Sequence, residues 1–271
     1  DRLIEELYHD VKATKPWVKV GISPFGIWRP GFPPSVKGFD AYEKLYADAR
    51  KWLRAGWLDY VTPQLYWTCD APEQSYPALL AWWHSENVNH RHLWPGNFTS
   101  RVGDHERNWE AAEIIRQINA TRKQPGATGN IHFSMRAFLR NSQALNTHLR
   151  DGPYLEDALV PESSWLSATK SSSAPLEITA EELRVVTRSD GQHALTWKTD
   201  RVGTPWLWLV QWRTNGPWQH AVIPGSSREF EFPSNSPAPS HPDPIALSAV
   251  GRVGTQGDPV SVRREPGNDG P

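Results

Sequence analysis

The chain has 271 residues, and its 29 basic against 30 acidic side chains leave a formal net charge of −1, which offers no electrostatic footprint for nucleic acid or an anionic membrane surface. A single cysteine, Cys69, excludes an intrachain disulfide and any multi-cysteine zinc or iron–sulfur site, and no apolar run approaches the roughly 18 residues of a membrane helix. The 15 tryptophans are the compositional anomaly; no signal peptide opens the sequence, and its only methionine, Met135, leads to the expectation of a processed chain or a fragment.

Residues 1–14 carry Leu3, Ile4, Leu7, Tyr8 and Val11, the apolar stripe of a helix. Trp17–Ser23 reads as a strand, a Pro/Gly loop follows, and Asp40–Ala55 reads as one helix stopped by Gly56. Leu58–Trp67 is the second strand, followed by a helix over 75–87 that carries Leu79, Leu80, Trp82 and Trp83. His92–Phe98 is the third, followed by a helix over 107–121 with the stripe Ala111, Ile114, Ile115 and Ile118. Gly129–Met135 is the fourth, with a helix over 141–150. Strands alternating with helices predict βα units on a parallel sheet, hence an α/β fold class.

Composition changes near Ser167. The stretch 167–175, Ser-Ala-Thr-Lys-Ser-Ser-Ser-Ala-Pro, lacks apolar periodicity and reads as a linker. Beyond it Leu183–Arg188 and His193–Thr199 flank Asp190-Gly191, a hairpin signal. Trp206–Arg213 alternates Trp206, Trp208, Val210 and Trp212 against Leu207, Leu209 and Gln211, and Arg228–Phe232 and Ile245–Val250 add further strands. These predict a small all-β sandwich over 176–265 and a frayed tail over 266–271.

Alternation within the first four strands assigns their faces. Val18, Val20 and Ile22 oppose Lys19, Gly21 and Ser23; Val61, Pro63 and Leu65 oppose Thr62, Gln64 and Tyr66; Ile131, Phe133 and Met135 oppose Asn130, His132, Ser134 and Arg136. The apolar set suits outer helices, and the other face grows more polar toward the C-terminal strand ends, where α/β folds carry their sites. Polar groups there either satisfy one another or, beside Trp28, Trp67 and Trp94, line a sugar-binding groove of ring faces and directional hydrogen bonds.

Sharper chemistries fare worse. In Gly21-Ile22-Ser23-Pro24-Phe25-Gly26, Pro24 removes the N–H that a nucleophile elbow needs after its serine. His90 and His92 have no third ligand at a recognised spacing, so no metal site is expected, nor any cofactor. Glycoside hydrolysis needs two carboxyl groups across the bond. Near the strand ends only Asp70 and Asp104 are found; Asp104 is read as favouring a helix N-terminus, and Asp70 remains the single weak catalytic candidate.

At Lys15-Pro-Trp-Val-Lys-Val-Gly-Ile-Ser-Pro-Phe-Gly-Ile-Trp-Arg29 and Trp57-Leu-Asp-Tyr-Val-Thr-Pro-Gln-Leu-Tyr-Trp67 the sequence resembles the bacterial glycosyl-hydrolase-like 10 family, as does the segment Ala158-Leu-Val-Pro161 to Trp165. Residues 176–262 resemble a fibronectin type III-like appendage. The resemblance implies that residues 1–166 are the C-terminal half, four βα units, of a (β/α)8 TIM barrel, followed by the sandwich. It implies that the family's acidic strand-end motif precedes residue 1, so the acid and base carboxylates lie outside this chain. It carries over substrate-cleft positions Ser23, Phe25, Trp28, Arg29, Gln64, Tyr66 and Trp67, to which the strand-face reading adds Trp94 and Ser134. Trp28 and Trp67 are expected to stack on sugar rings, Gln64 and Tyr66 to bond ring hydroxyls or an acetamido group, and Arg29 to orient an anionic or hydroxyl substituent. The implied activity is glycoside hydrolysis of bacterial cell-wall glycan, including peptidoglycan strands, in the extracellular space, periplasm or cell envelope. A non-catalytic carbohydrate-binding protein is the alternative, and an adhesion role for the sandwich a further one. Four units cannot close a barrel, so two exposed sheet edges, with poor solubility or pairing of half-barrels, are expected.

Overall fold

The computed structural model describes residues 1–106, 108–166, 183–199, 205–213, 216–233 and 244–262. The expected linker over 167–175 and tail over 266–271 lie outside these. The chain divides into two compact units, Asp1–Glu156 and Asp157–Pro271.

The first unit runs α1 (Arg2–Thr14), β1 (Gly21–Ile22), α2 (Ala41–Leu45), α3 (Ala49–Ala55), β2 (Tyr60–Val61), α4 (Tyr76–Glu86), β3 (His92–Leu93), β4 (Gly96–Asn97), α5 (Ala111–Lys123), β5 (Ile131–His132), α6 (Met135–Arg140) and α7 (Leu145–Arg150). The expected helix over 40–55 is broken in two because Tyr46 is left-handed and Asp48 caps a fresh start, accepting from the Lys51 N–H at 3.2 Å, as Asp40 does from Glu43 at 2.8 Å. Behind the strands, Ile27, Leu53, Leu58, Val61, Leu65, Leu79, Leu80, Trp83 and Leu93 form one dry core, and Ile114, Ile118, Leu145 and Leu149 a second under α5 and α7.

All strand pairings here are parallel and follow chain order: β1 with β2, β2 with β3, and β4 with β5. The regular pieces are far shorter than the runs read from the sequence, and the register explains why. Gly21 pairs with Tyr60 and Tyr60 with His92, which puts Pro24, Pro63 and Pro95 at one level of three adjacent strands. Each lacks the N–H donor at that level but keeps its acceptor: Pro24 O takes the Gln64 N–H (3.0 Å), Pro63 O that of Gly96 (2.8 Å) and Pro95 O that of Ile131 (3.0 Å). Just beyond the proline row the parallel bridges Phe25–Gln64–Gly96 resume the sheet.

The face assignment needs one correction. Register places Ile131 beside Gly96, and Asn130 and Asn97 turn instead toward the helices. There Asn130 donates to Asn97 Oδ1 (2.9 Å) and Thr121 Oγ1 (3.0 Å), while Asn97 donates to Gln117 Oε1 (2.9 Å) and Tyr76 Oη (3.2 Å). The fourth strand is therefore inverted relative to the expectation: its half-buried Asn130 joins a hydrogen-bonded network with buried Asn97, Gln117 and Thr121, and Ile131 and Phe133 lie on the open face, 44% and 52% exposed.

The second unit contains β6 (Arg184–Thr187), β7 (His193–Thr196), β8 (Leu207–Trp212), β9 (Gln219–Pro224), β10 (Glu229–Glu231), β11 (Ile245–Val250) and β12 (Val260–Val262). Two antiparallel sheets, ordered β10-β7-β6 and β12-β11-β8-β9, share a core of Leu195, Trp197, Trp208, Val210, Trp212, Ile245 and Leu247, so this is a β-sandwich. The Asp190-Gly191 hairpin is present, with Gly191 at φ 81°. Residues 157–166, expected to close the first unit, group with the sandwich: Ser163 N–H donates to Val253 O (2.8 Å), and Gly254 packs against the backbone of Val160 and Glu162.

Candidate functional site

The open face of the parallel strands is layered by register. One level holds Phe25, Gln64, Gly96 and Ile131; the level below, toward the strand starts, holds Ser23, Thr62 and Trp94; the level above holds Tyr66, Phe98 and Phe133. At the C-terminal strand ends there are two groups of rings, one beside Gln64 at its own level and one a level above Gln64 and Gly96. Phe25 meets Trp67 and Phe39 edge-on at 5.6 and 5.4 Å between centroids. Tyr66 lies 4.6 Å from Phe98 and 5.8 Å from Phe133.

Gln64 donates to Ser23 O at 3.1 Å, which fixes its amide and leaves its carbonyl as an acceptor between the rings. Burial pushes the Tyr66 hydroxyl above the usual phenol range, so it is a neutral donor and acceptor. Gly26 is required here: a Cβ would stand 2.2 Å from Gln64 O and 2.9 Å from the Trp67 ring. Ser134 and Ser100 tie the rim beside Phe133, the Ser134 N–H donating to Ser100 Oγ at 2.9 Å.

Ser23, Phe25, Gln64, Tyr66 and Trp67 are thus brought together, with Ser134 at the rim. Three other candidates are placed elsewhere. Trp28 is a core residue, 8% exposed, stacked on Trp82, covered by the Arg50 guanidinium at 4.9 Å and donating to Asp48 Oδ1 at 3.0 Å. Arg29 is committed to Asp40 at 3.1 Å and to the Tyr42 ring at 4.8 Å. Trp94 lies a level deeper, stacked on His92 at 4.9 Å, tilted on Tyr60 at 4.7 Å and bonded to Thr128 Oγ1 at 2.8 Å. Their motifs combine aromatic and polar residues, and sequence alone cannot say which of the two packs inward.

The carboxylates nearby are also committed. Asp70 is an exposed ion pair with Arg116 at 2.6 Å, and Asp104 pairs with Arg101 at 2.6 Å. Buried Glu113 accepts from the Cys69 N–H at 2.7 Å and Gln117 at 3.0 Å. Asp59, fully buried, accepts from Lys12, Tyr8 and the Val20 N–H. Among the described residues no group of three or more His, Cys, Asp or Glu is placed to hold a metal ion, and no helix is long and apolar enough to cross a membrane. The rings that the sequence reading missed, Phe39, Phe98 and Phe133, carried a signal: Phe98 and Phe133 lie two residues past Gly96 and Ile131, at the level of Tyr66.

Residues 1–112 match the family described as glycosyl hydrolase-like 10. Over 177 residues the chain is 34% identical to the glycosyl hydrolase YngK of Bacillus subtilis (strain 168), an alignment covering 62% of this chain and 35% of that protein. It is 31% identical over 144 residues to the glycosyl hydrolase DigH of Escherichia coli (strain K12), covering 49% and 33%. The chain therefore spans about a third of the length of the curated relatives it matches. Among solved structures, the fn3 domain of human collagen alpha-1(XX) chain superposes with TM-score 0.28 at 18% identity, covering 36% of this chain and 90% of that one. The 6th fibronectin type III domain of human fibronectin type III domain containing protein 3 gives 0.25 at 22% identity, covering 38% and 97%. Likenesses of that size carry no argument, and the sandwich stands on its own strand pairing.

Proposed function

We propose that the parallel strands are four staves of a (β/α)8 barrel and that their open face forms one wall of a glycan cleft in a glycoside hydrolase acting on bacterial cell-wall-type glycan. The observation that carries this is the pair of ring groups at the strand ends, Phe25–Trp67–Phe39 beside a fixed amide and Tyr66–Phe98–Phe133 a level above it. Rings supply apolar faces to sugar carbons, while Gln64, Ser23 and Tyr66 supply directional bonds to hydroxyl or acetamido groups. Trp67 keeps the stacking role, and Trp28 is withdrawn from it.

The bonded state of Asp70, Asp104 and Glu113 supports a wall that binds without supplying the acid and base. In this reading those carboxylates come from the other staves, and these 271 residues alone behave as a carbohydrate-binding protein. The sandwich is read as a fibronectin type III-like appendage, and the location as the cell envelope or beyond it. Titrating the chain with peptide-free peptidoglycan strands while assaying reducing ends tests this. Binding without new reducing ends is expected; absence of binding overturns the cleft, and release of reducing ends overturns the placing of the carboxylates.

A further inference from the structure

Trp67 lies beyond the last bond that ties its segment to the sheet. That bond runs from the Leu65 N–H to Gly96 O at 3.1 Å, and among the described residues no neighbouring strand holds the main chain of Tyr66 or Trp67. The turn that follows is held from the helices instead. Gln117 Nε2 donates to Trp67 O at 3.1 Å, and Glu113 Oε1 accepts the Cys69 N–H at 2.7 Å. At the start of α4 the Tyr76 N–H donates to Thr68 O at 3.3 Å, and Ser75 Oγ to Cys69 O at 3.1 Å.

Glu113 and Gln117 stand one turn apart on α5 and are buried with Ala111, Ile114 and Ile118 of the same helix. Gln117 Nε2 also donates to Glu113 Oε1 at 3.0 Å, and Glu113 Oε2 faces the Arg116 guanidinium at 3.4 Å. A carboxylate and an amide in this position carry a desolvation cost that two apolar side chains would avoid. What they provide is a pair of partners for backbone groups that have left the sheet. Gln117 also reaches the second ring group, because its Oε1 accepts from Asn97 Nδ2 at 2.9 Å and Asn97 directly precedes Phe98. One fully buried amide thus joins the main chain of Trp67 to the strand that carries Phe98.

We propose that Glu113 and Gln117 are positioning residues for the glycan cleft, setting the Trp67 ring in its place relative to the Phe98 ring group. This rests on the cleft reading of the open face. Neither side chain touches the glycan; both act through the main chain of Trp67 and Cys69.

The test is calorimetric titration of the full chain with peptide-free peptidoglycan strands. Glu113→Ala weakens binding about fivefold or more, and Glu113→Gln, which keeps an oxygen for the Cys69 N–H and for Gln117, restores most of it. Double-mutant cycles separate positioning from plain stabilisation. In a Trp67→Ala background Glu113→Ala has no further effect on affinity, whereas in a Phe133→Ala background it adds its full factor; the urea midpoint falls in both. A wild-type measurement needs no variant to fold: bound glycan slows amide hydrogen exchange over residues 67–70. Wild-type affinity in Glu113→Ala, a loss that persists in the Trp67→Ala background, or exchange over 67–70 that glycan does not change overturns the proposal. Unchanged affinity in Trp67→Ala removes its place in the cleft as well, while a loss in Trp67→Ala without the coupling to Glu113 removes only the positioning role.

Discussion

Asn130 donates to Asn97 Oδ1 at 2.9 Å on the helix side of the sheet, where the strand read over Gly129–Met135 was expected to turn its apolar residues. This pair joins Tyr76, Gln117 and Thr121 in one buried network, so the second apolar core under α5 is separated from the strands by a polar layer. Removing one member leaves the others desolvated and unpaired. Asn97→Ala is therefore expected to destabilise the chain by about 1–3 kcal/mol, seen as a lower urea midpoint at unchanged slope.

That inversion also shows what sequence could and could not reveal. The order of βα units was legible, because Leu79, Leu80 and Trp83 or Ile114 and Ile118 recur at helical spacing and are buried as read. The strand lengths were not, since the effect of Pro24, Pro63 and Pro95 depends on register, which sets all three at one level. Asn130 reads as a cleft residue because alternation reports which residues share a face but not which face points to the helices. Of the site, Gln64, Tyr66 and Trp67 were legible from one motif. Trp28 misled because an indole beside arginine has the same composition in a cleft and in a core.

Acidification tests the buried histidines. His92 and His132 both have their pKa held down to about 4, chiefly by burial, and His132 is fixed between Thr99 Oγ1 (2.7 Å) and Tyr154 Oη (2.8 Å). The unfolded imidazole takes its proton near pH 6.5, so the unfolded chain binds more protons between about pH 6.5 and 4. Stability is full well above pH 6.5 and falls as the pH drops toward 4, by about 3 kcal/mol for each histidine. Urea titrations across that range should show the decline, with a shallower slope in His132→Gln.

Gly26 is the tightest backbone approach in the cleft. Gly26→Ala forces a methyl against Gln64 O, and the expected cost is about 1–3 kcal/mol in thermal or urea unfolding, together with weaker glycan binding because the amide and the Trp67 ring are displaced.

Asp70 distinguishes a surface ion pair from a catalytic acid. Its pair with Arg116 is exposed, so Asp70→Asn should change stability by no more than about 1 kcal/mol and leave glycan affinity unchanged. Calorimetric titration of wild type and variant checks both.

The central claim is that the exposed rings at the strand ends hold a glycan. Phe133 is 52% exposed and Trp206 of the sandwich 51%, so truncating either should leave its unit folded. The most direct measurement is the affinity of peptide-free glycan strands for the wild-type chain, Phe133→Ala and Trp206→Ala by isothermal titration calorimetry. The cleft reading predicts binding weakened about tenfold in Phe133→Ala and unchanged in Trp206→Ala. Unchanged affinity in Phe133→Ala with loss in Trp206→Ala would contradict it.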